Sequence, residues 1–483
     1  MHFQIYDKKQ VFKCLFMLVL MVSAMHFTKG AGFAIIAPFA LIALTRNRPD
    51  EIFFYILAMV SSIVTNPTIA TKGTFFYIEQ RIMLMGFGFL LALRAAGAKK
   101  SPLVTPFLGI FIYLFYMAFT SSAGWSPIIS YLKLLLFSIT YLAFLGAANA
   151  AATHPRTNII AVRSVILSIA AFFIIGSIAL LPFPAIGQLK PELFIDNPSA
   201  NITSLFMGMT NQPQCLGPII SGFAVLIFTD LIFGVRKMSK VHIFLLACCP
   251  ILIYKTSSRT AMGTFAAGIM FASYFFMRAR WVGRRWRSKI MSCLWLGAIA
   301  LAILIACSGS IREGATNFIQ KHGGDSDITL DSLVSSRMGL VDTTMANFKE
   351  SPIFGNGFQV SEAMADKNHS RGTSLLSAPI EKGVWVTAVL EEGGAIGFVL
   401  FASFILTALV RTIKLRAYAT ASVFLVLTVS NFGEFTFFST SYSGGLLWSL
   451  VFTGIALDAA RLKAEQQERY ASFRHQNMAM WQR

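Results

Sequence analysis

Apolar residues along this chain come in solid blocks rather than in stripes. Ile35–Leu44, Leu103–Phe119, Val165–Leu181, Ile290–Ala306 and Ile396–Val410 are the clearest. A helix needs roughly 20 predominantly apolar residues to cross the hydrocarbon core of a bilayer. Lipid offers no partner to open backbone groups, so such blocks predict spanning helices. A transmembrane barrel would instead show short alternating segments. Spans are predicted near residues 11–27, 31–45, 51–66, 74–93, 103–120, 128–150, 158–182, 213–234, 241–256, 259–277, 290–308, 385–410, 417–434 and 442–460. The fold class expected is therefore all-α, a polytopic membrane protein with about fourteen (twelve to fourteen) spanning helices.

Composition agrees with this reading. Of the 483 residues, 55% are hydrophobic and 13% charged, against about 25% charged in a soluble domain. The net charge of +19 suggests nucleic acid only until the charges are located. They sit in short loops: Arg46 and Arg48, then Arg94, Lys99 and Lys100, then Arg236, Lys237 and Lys240, then the run from Arg278 to Lys289, then Arg411, Lys414 and Arg416. That is the positive-inside pattern, so no nucleic-acid partner is needed to explain it. Both termini are expected on the cytoplasmic side. Lys8, Lys9 and Lys13 before the apolar stretch Cys14–Phe27 could open a signal peptide. No small-x-small site ends that stretch and further spans follow at once, so it is read as a first helix. The six cysteines lie in or beside apolar runs without a C-x-x-C, and neither a disulfide frame nor a metal site is expected.

Two long segments fall on the opposite, outer side, at about 183–212 and 309–384. Residues 309–383 hold nine of the 22 acids, from Glu313 to Glu381, so this segment reads as solvated and exported. The chain divides into residues 1–308 (eleven spans with the outer segment 183–212), the large outer loop 309–384, three spans in 385–460 and a basic tail, 461–483. Within the loop, Leu330, Val334, Met338, Val341, Met345 and Phe348 recur at helical spacing. Asp327 or Thr329 is placed to cap this helix, Ser351-Pro352 to stop it, and Gly355-Asn356-Gly357 to turn the chain. An amphipathic helix on the outer membrane face is expected.

No soluble-enzyme signature occurs; what remains is polar residues in unexpected places. Arg259, in Ser257-Ser258-Arg259-Thr260, stands at an outer helix end against the charge rule. A snorkelling arginine would explain it, and so would an anion site, because guanidinium pairs with phosphate in a fork. Arg337 lies beside the apolar stripe of the loop helix, either solvated or carried to the rim of the membrane domain. Glu391 and Glu392 fall inside an apolar block, where acids are costly and are paired, interfacial or functional. Glu381 just precedes that block. His369 lies in the acidic loop, where a solvated histidine is the plain reading. Asn211 and Gln214 open a span from outside and suit a helix cap or a sugar or anion. Glu434 marks another outer helix end.

Three of these pieces together resemble the O-antigen ligase and O-antigen polymerase superfamily: Thr210-Asn-Gln-Pro-Gln214, Ser258-Arg259-Thr-Ala261, and the run from Ser336-Arg337 through Ser351-Pro-Ile-Phe-Gly355-Asn-Gly357 to Leu390-Glu-Glu-Gly-Gly-Ala-Ile-Gly397. The likeness covers roughly the second half of the chain. Members are bacterial inner-membrane enzymes with many helices and one large periplasmic loop late in the chain. The resemblance implies a metal-independent glycosyltransferase without a cofactor. Its partners would be an undecaprenyl-diphosphate-linked oligosaccharide, membrane lipid and other polysaccharide assembly proteins. Arg259 and Arg337 would neutralise the diphosphate leaving group and a carboxylate would act on the acceptor hydroxyl. The family commonly carries a His-Asn pair before the span that follows the loop. Lys382-Gly383 stands here, so Glu381 or His369 would have to supply any base. Asn211, Gln214, His369, Glu391 and Glu434 complete the expected substrate contacts. Polymerase and ligase share these motifs, and a polysaccharide flippase is the rival of a different class.

Overall fold

The computed structural model describes residues 5–28, 32–46, 48–70, 74–96, 99–154, 157–188, 205–235, 237, 239–279, 283–293, 330–360, 382–439 and 443–481. The helices used below are α1 (Lys8–Thr28), α2 (Gly32–Thr45), α3 (Pro49–Val64), α4 (Thr74–Ala96), α5 (Ile110–Thr120), α6 (Pro127–Thr153), α7 (Ile159–Leu180), α8 (Pro213–Thr229), α9 (Lys240–Lys255), α10 (Arg259–Arg278), α11 (Leu330–Glu350), α12 (Trp385–Lys414), α13 (Tyr418–Ser430) and α14 (Ser443–Trp481). Eight segments among the described residues are long and apolar enough to cross a membrane, and four shorter apolar helices accompany them. The expected count of fourteen is thus met only in kind. The predicted span at 290–308 lies mostly outside the described residues.

Local chemistry sets many of the ends. Proline opens α3, α6 and α8 at a position where its missing N–H costs nothing. The Asn158 side chain caps α7 by accepting from Ile160 N at 2.9 Å. α8 passes directly into a π-helical segment, Asp230–Val235. Asp458 of α14 caps the start of α13 across the bundle, accepting at 2.9 Å from both the amide and the hydroxyl of Thr420.

α8 and α14 are the most enclosed spans. α14 packs on α13, α6 and α8, and α10 packs on α8 and α13. α1, α5, α6 and α12 lie further out and expose large apolar residues such as Phe12, Phe16, Phe115, Phe119, Ile128 and Leu406. Such a surface matches lipid, not water. The centre is aromatic. Tyr113, Phe137, Tyr141, Phe358, Phe401, Phe438 and Trp448 meet ring to ring. Two polar tips of that cluster are satisfied by backbone: Trp448 donates to Phe437 O at 2.7 Å and Tyr141 to Phe107 O at 2.8 Å. Beyond the membrane block, α14 continues without interruption through the basic tail to Trp481. The tail is rich in Ala, Gln, Glu, Arg and Lys, all good helix formers.

Candidate functional site

Two polar assemblies lie at one end of the bundle. The first is a narrow cleft lined by Gln214, Pro218, Ser258, Thr260, Ser430, Glu434, Thr436 and Ser443. These residues come from four separate stretches of chain, brought together by close backbone approach. A Cβ on Gly217 of α8 would stand 2.5 Å from Ala261 Cβ and 3.3 Å from Ser258 Cβ, so α8 and α10 meet at a glycine. A Cβ on Gly433 would strike the Thr260 side chain. The segment after α13 is therefore seated on the first turn of α10. Ser258 caps that turn, accepting from Ala261 N at 3.3 Å, and Arg259 is its first residue. Near their starts, α8, α10 and α14 all contribute to the cleft wall. Each helix start carries roughly half a positive charge from its unpaired amides. Three of them stand beside hydroxyl and amide side chains and one carboxylate, around a cleft of about 10 Å³ that holds no more than a water-sized group.

The second assembly adjoins the first, since Trp385 N donates to Asn431 O at 3.0 Å and the two rings of Trp385 and Phe432 touch. Here α12 is broken. Gly394 adopts φ 62°, ψ −167°, a conformation open in practice only to glycine. Breaking a helix leaves carbonyls and amides without partners. The segment 351–360 supplies them: Asn356 N donates to Glu391 O at 2.9 Å, Gly357 N to Glu392 O at 3.0 Å, and Ala395 N to Pro352 O at 2.8 Å. Tyr116 OH donates to Gly393 O at 2.8 Å. The approach is so close that a Cβ on Gly355 would fall 2.3 Å from Glu392 O, and one on Gly394 2.3 Å from Ile353 O.

Beside the break sits a buried ionic group. Lys382 Nζ lies 3.0 Å from Glu391 Oε2 and 3.1 Å from Glu392 Oε1, with all three residues at most 3% exposed. Asn347 of α11 donates to Glu391 Oε1 at 2.8 Å. Asn356 donates to Asn347 O at 2.9 Å, which ties α11 to the turn. Gly383 packs against Leu340, bringing α11 to the head of α12. Burial alone would hold the Lys382 ammonium below the usual lysine range. The charges of Glu392 and Glu391 outweigh that, and Lys382 is held above the usual lysine range.

The expected site residues divide as follows. Gln214 and Glu434 line the cleft, and Arg259 heads the helix that bounds it. Asn211 stands beside the start of α8, its amide N–H donating to Val64 O at 2.8 Å and its Oδ1 buried without a hydrogen-bond partner. Arg337 belongs to α11, three residues before Leu340. Glu391 turns away from any opening and is bound by Lys382 and Asn347. Glu381 and His369 lie outside the described residues. Sequence reasoning missed Lys382, Glu392, Asn347 and Asn356 as a unit, and Thr260, Ser430, Thr436 and Ser443 as cleft walls. For the ionic group a signal existed: two acids in an apolar block demand a cation, and Lys382 lies nine residues upstream of the first. For the cleft there was none, because helix ends far apart in sequence meet only through packing. Among the described residues, no three His, Cys, Asp or Glu side chains gather as a metal would require.

Fold and site define a class: a multi-pass helical membrane protein with a polar cleft and a buried ionic group at one end of the bundle, around three helix starts and a broken helix. A family model described as O-antigen ligase matches residues 243–379. The match covers α9, α10 and α11, and supports the O-antigen ligase/polymerase superfamily, whose members are membrane glycosyltransferase-like enzymes. No curated protein matches the chain.

Proposed function

We propose that this chain is a membrane glycosyltransferase of the O-antigen ligase/polymerase type. It would polymerise repeat units of a surface or exopolysaccharide carried on undecaprenyl diphosphate, at the periplasmic face of the bacterial inner membrane. The observation that carries the reading is the convergence of Gln214, Ser258, Thr260 and Glu434 on one cleft beside Arg259. Gln214 belongs to one motif of the resemblance and Ser258 and Thr260 to another, and the family match includes the second. Outside the cytoplasm no nucleotide sugar is at hand, so the donor must arrive activated. As the glycosidic bond to the lipid diphosphate breaks, negative charge builds on the leaving oxygen. Arg259, Arg337 and the positive helix starts would stabilise it, without a metal or cofactor. A general base would take the acceptor hydroxyl proton, with Glu381, His369 and Glu434 as the groups to test.

A ligase, moving finished glycan from the carrier to lipid A–core or another acceptor, is the second reading, favoured by the description of the matching family model. A flippase gains less support, because the described centre of the bundle is packed aromatic rings rather than a polar path. Replacement of Arg259 or Arg337 by alanine should abolish polymer while the protein still inserts in the membrane. Normal polymer from both variants would overturn the proposal. In a deletion strain, single repeat units left on the carrier indicate a polymerase; long chains indicate a ligase.

A further inference from the structure

A cavity lies at the other end of the bundle, between the starts of α1, α3 and α7. Its volume is about 350 Å³, within the range of small-ligand sites. Nothing in the chemistry proposed above uses it. Its wall is graded. The floor is apolar, with Met17, Phe54 and Val165 all buried. The mouth carries Lys9 and Lys13 together with Asp7 and Glu51.

The two acids already have work. Asp7 caps α1, its Oδ1 accepting from Lys9 N at 2.9 Å. Glu51 is held by Arg48 at 2.9 Å, with Lys13 farther off at 3.7 Å. Lys9, Lys13 and Arg48 thus outnumber Asp7 and Glu51 around this mouth by one charge, and the Lys9 and Lys13 side chains stand exposed at the start of a spanning helix. On the outer side of α1, Phe12 and Phe16 are exposed, so the mouth borders lipid. A cationic mouth at headgroup depth above an apolar floor matches an amphiphile with an anionic head.

We propose that this cavity binds an anionic phospholipid, its phosphate between Lys9 and Lys13 and the upper part of an acyl chain on Met17, Phe54 and Val165. The site is independent of the polar cleft, which lies at the opposite end of α7 and α8.

The test is native mass spectrometry of the full chain in detergent with added phosphatidylglycerol or phosphatidylcholine, alongside thermal shifts with inorganic phosphate. Phosphatidylglycerol should bind at least tenfold more tightly than phosphatidylcholine. Lys9→Gln with Lys13→Gln should weaken it about thirtyfold, each surface lysine contributing about a factor of five. Met17→Trp, which fills the floor and leaves the charges, should block it as well. The lysine pair alone decides if the tryptophan variant does not fold. Equal binding of the two lipids, unchanged binding by the lysine variant or by a folded tryptophan variant, or an equal thermal shift with phosphate alone would each overturn the proposal.

Discussion

Lys382→Met isolates the buried ionic group. In the native chain one ammonium faces two carboxylates at 3.0 and 3.1 Å. Methionine fills similar volume and removes the charge. Glu391 keeps its bond from Asn347, but neither carboxylate then has a cation among the described residues. Breaking a buried pair by deleting one partner costs about 3–5 kcal/mol, because the remaining charge has lost both water and its counter-ion. The size of the loss comes from stranding charge, not from the worth of the bridge itself. Neutralising the whole group, with Lys382→Met, Glu391→Gln and Glu392→Gln together, should therefore recover more than half of it. Unfolding in detergent, followed through the seven tryptophans and by size exclusion, measures both variants against the native chain. A single variant within about 0.5 kcal/mol of the native chain, or a triple variant no better than the single, would refute the reasoning.

Other outcomes follow from the same geometry. Gly394→Ala should cost about 1–3 kcal/mol from the dihedral alone, with a clash against Ile353 O added. Gly339→Ala, in open space within α11, should be neutral or stabilising by up to about 1 kcal/mol; thermal midpoints compare the two. Arg163→Met would leave the buried Asp230, which the Arg163 Nε contacts at 2.8 Å, with only His242 at 3.8 Å, and should lower stability by up to about 3–5 kcal/mol. That loss arises at the opposite end of the bundle, so a size-exclusion profile should fail before any change at the cleft is seen. Because Lys382 is held above its ordinary range, the stability it lends is complete below about pH 10.4 and is lost as pH rises through its still higher folded value. Unfolding midpoints should therefore show no Lys382-dependent change between pH 7 and 10.

The helices were legible because lipid makes burial of the backbone compulsory, and the apolar blocks follow directly. The span read at 128–150 is Pro127–Thr153, and the one read at 213–234 is Pro213–Val235. The loop helix ends at Glu350, just before Ser351-Pro352. The break in α12 was not legible. Gly393-Gly394 inside an apolar block reads as a tolerated weakness, and its open carbonyls find partners far off in the sequence, in Asn356, Gly357 and Tyr116. For the same reason Glu391 was read as a substrate contact: one-dimensional spacing does not tell a carboxylate facing a cleft from one facing Lys382. The cleft itself depends on glycines 217 and 433 letting three helices approach, a tertiary event. The helical tail beyond residue 461 is hidden behind its charge, although its residues are good helix formers.

The joint between residues 351–360 and α12 is made largely of peptide groups: four amides donate across it to carbonyls, and Tyr116 of α5 adds a bond to Gly393 O. Peptide groups are the same in every residue, so the joint reads backbone shape rather than side-chain identity. It behaves as a standard coupling. A segment of foreign sequence should fit it if it carries glycine at 355 and 357, asparagine at 356, and the same length. Chimaeras exchanging this segment between related chains would thus keep the broken helix intact while changing everything the segment displays.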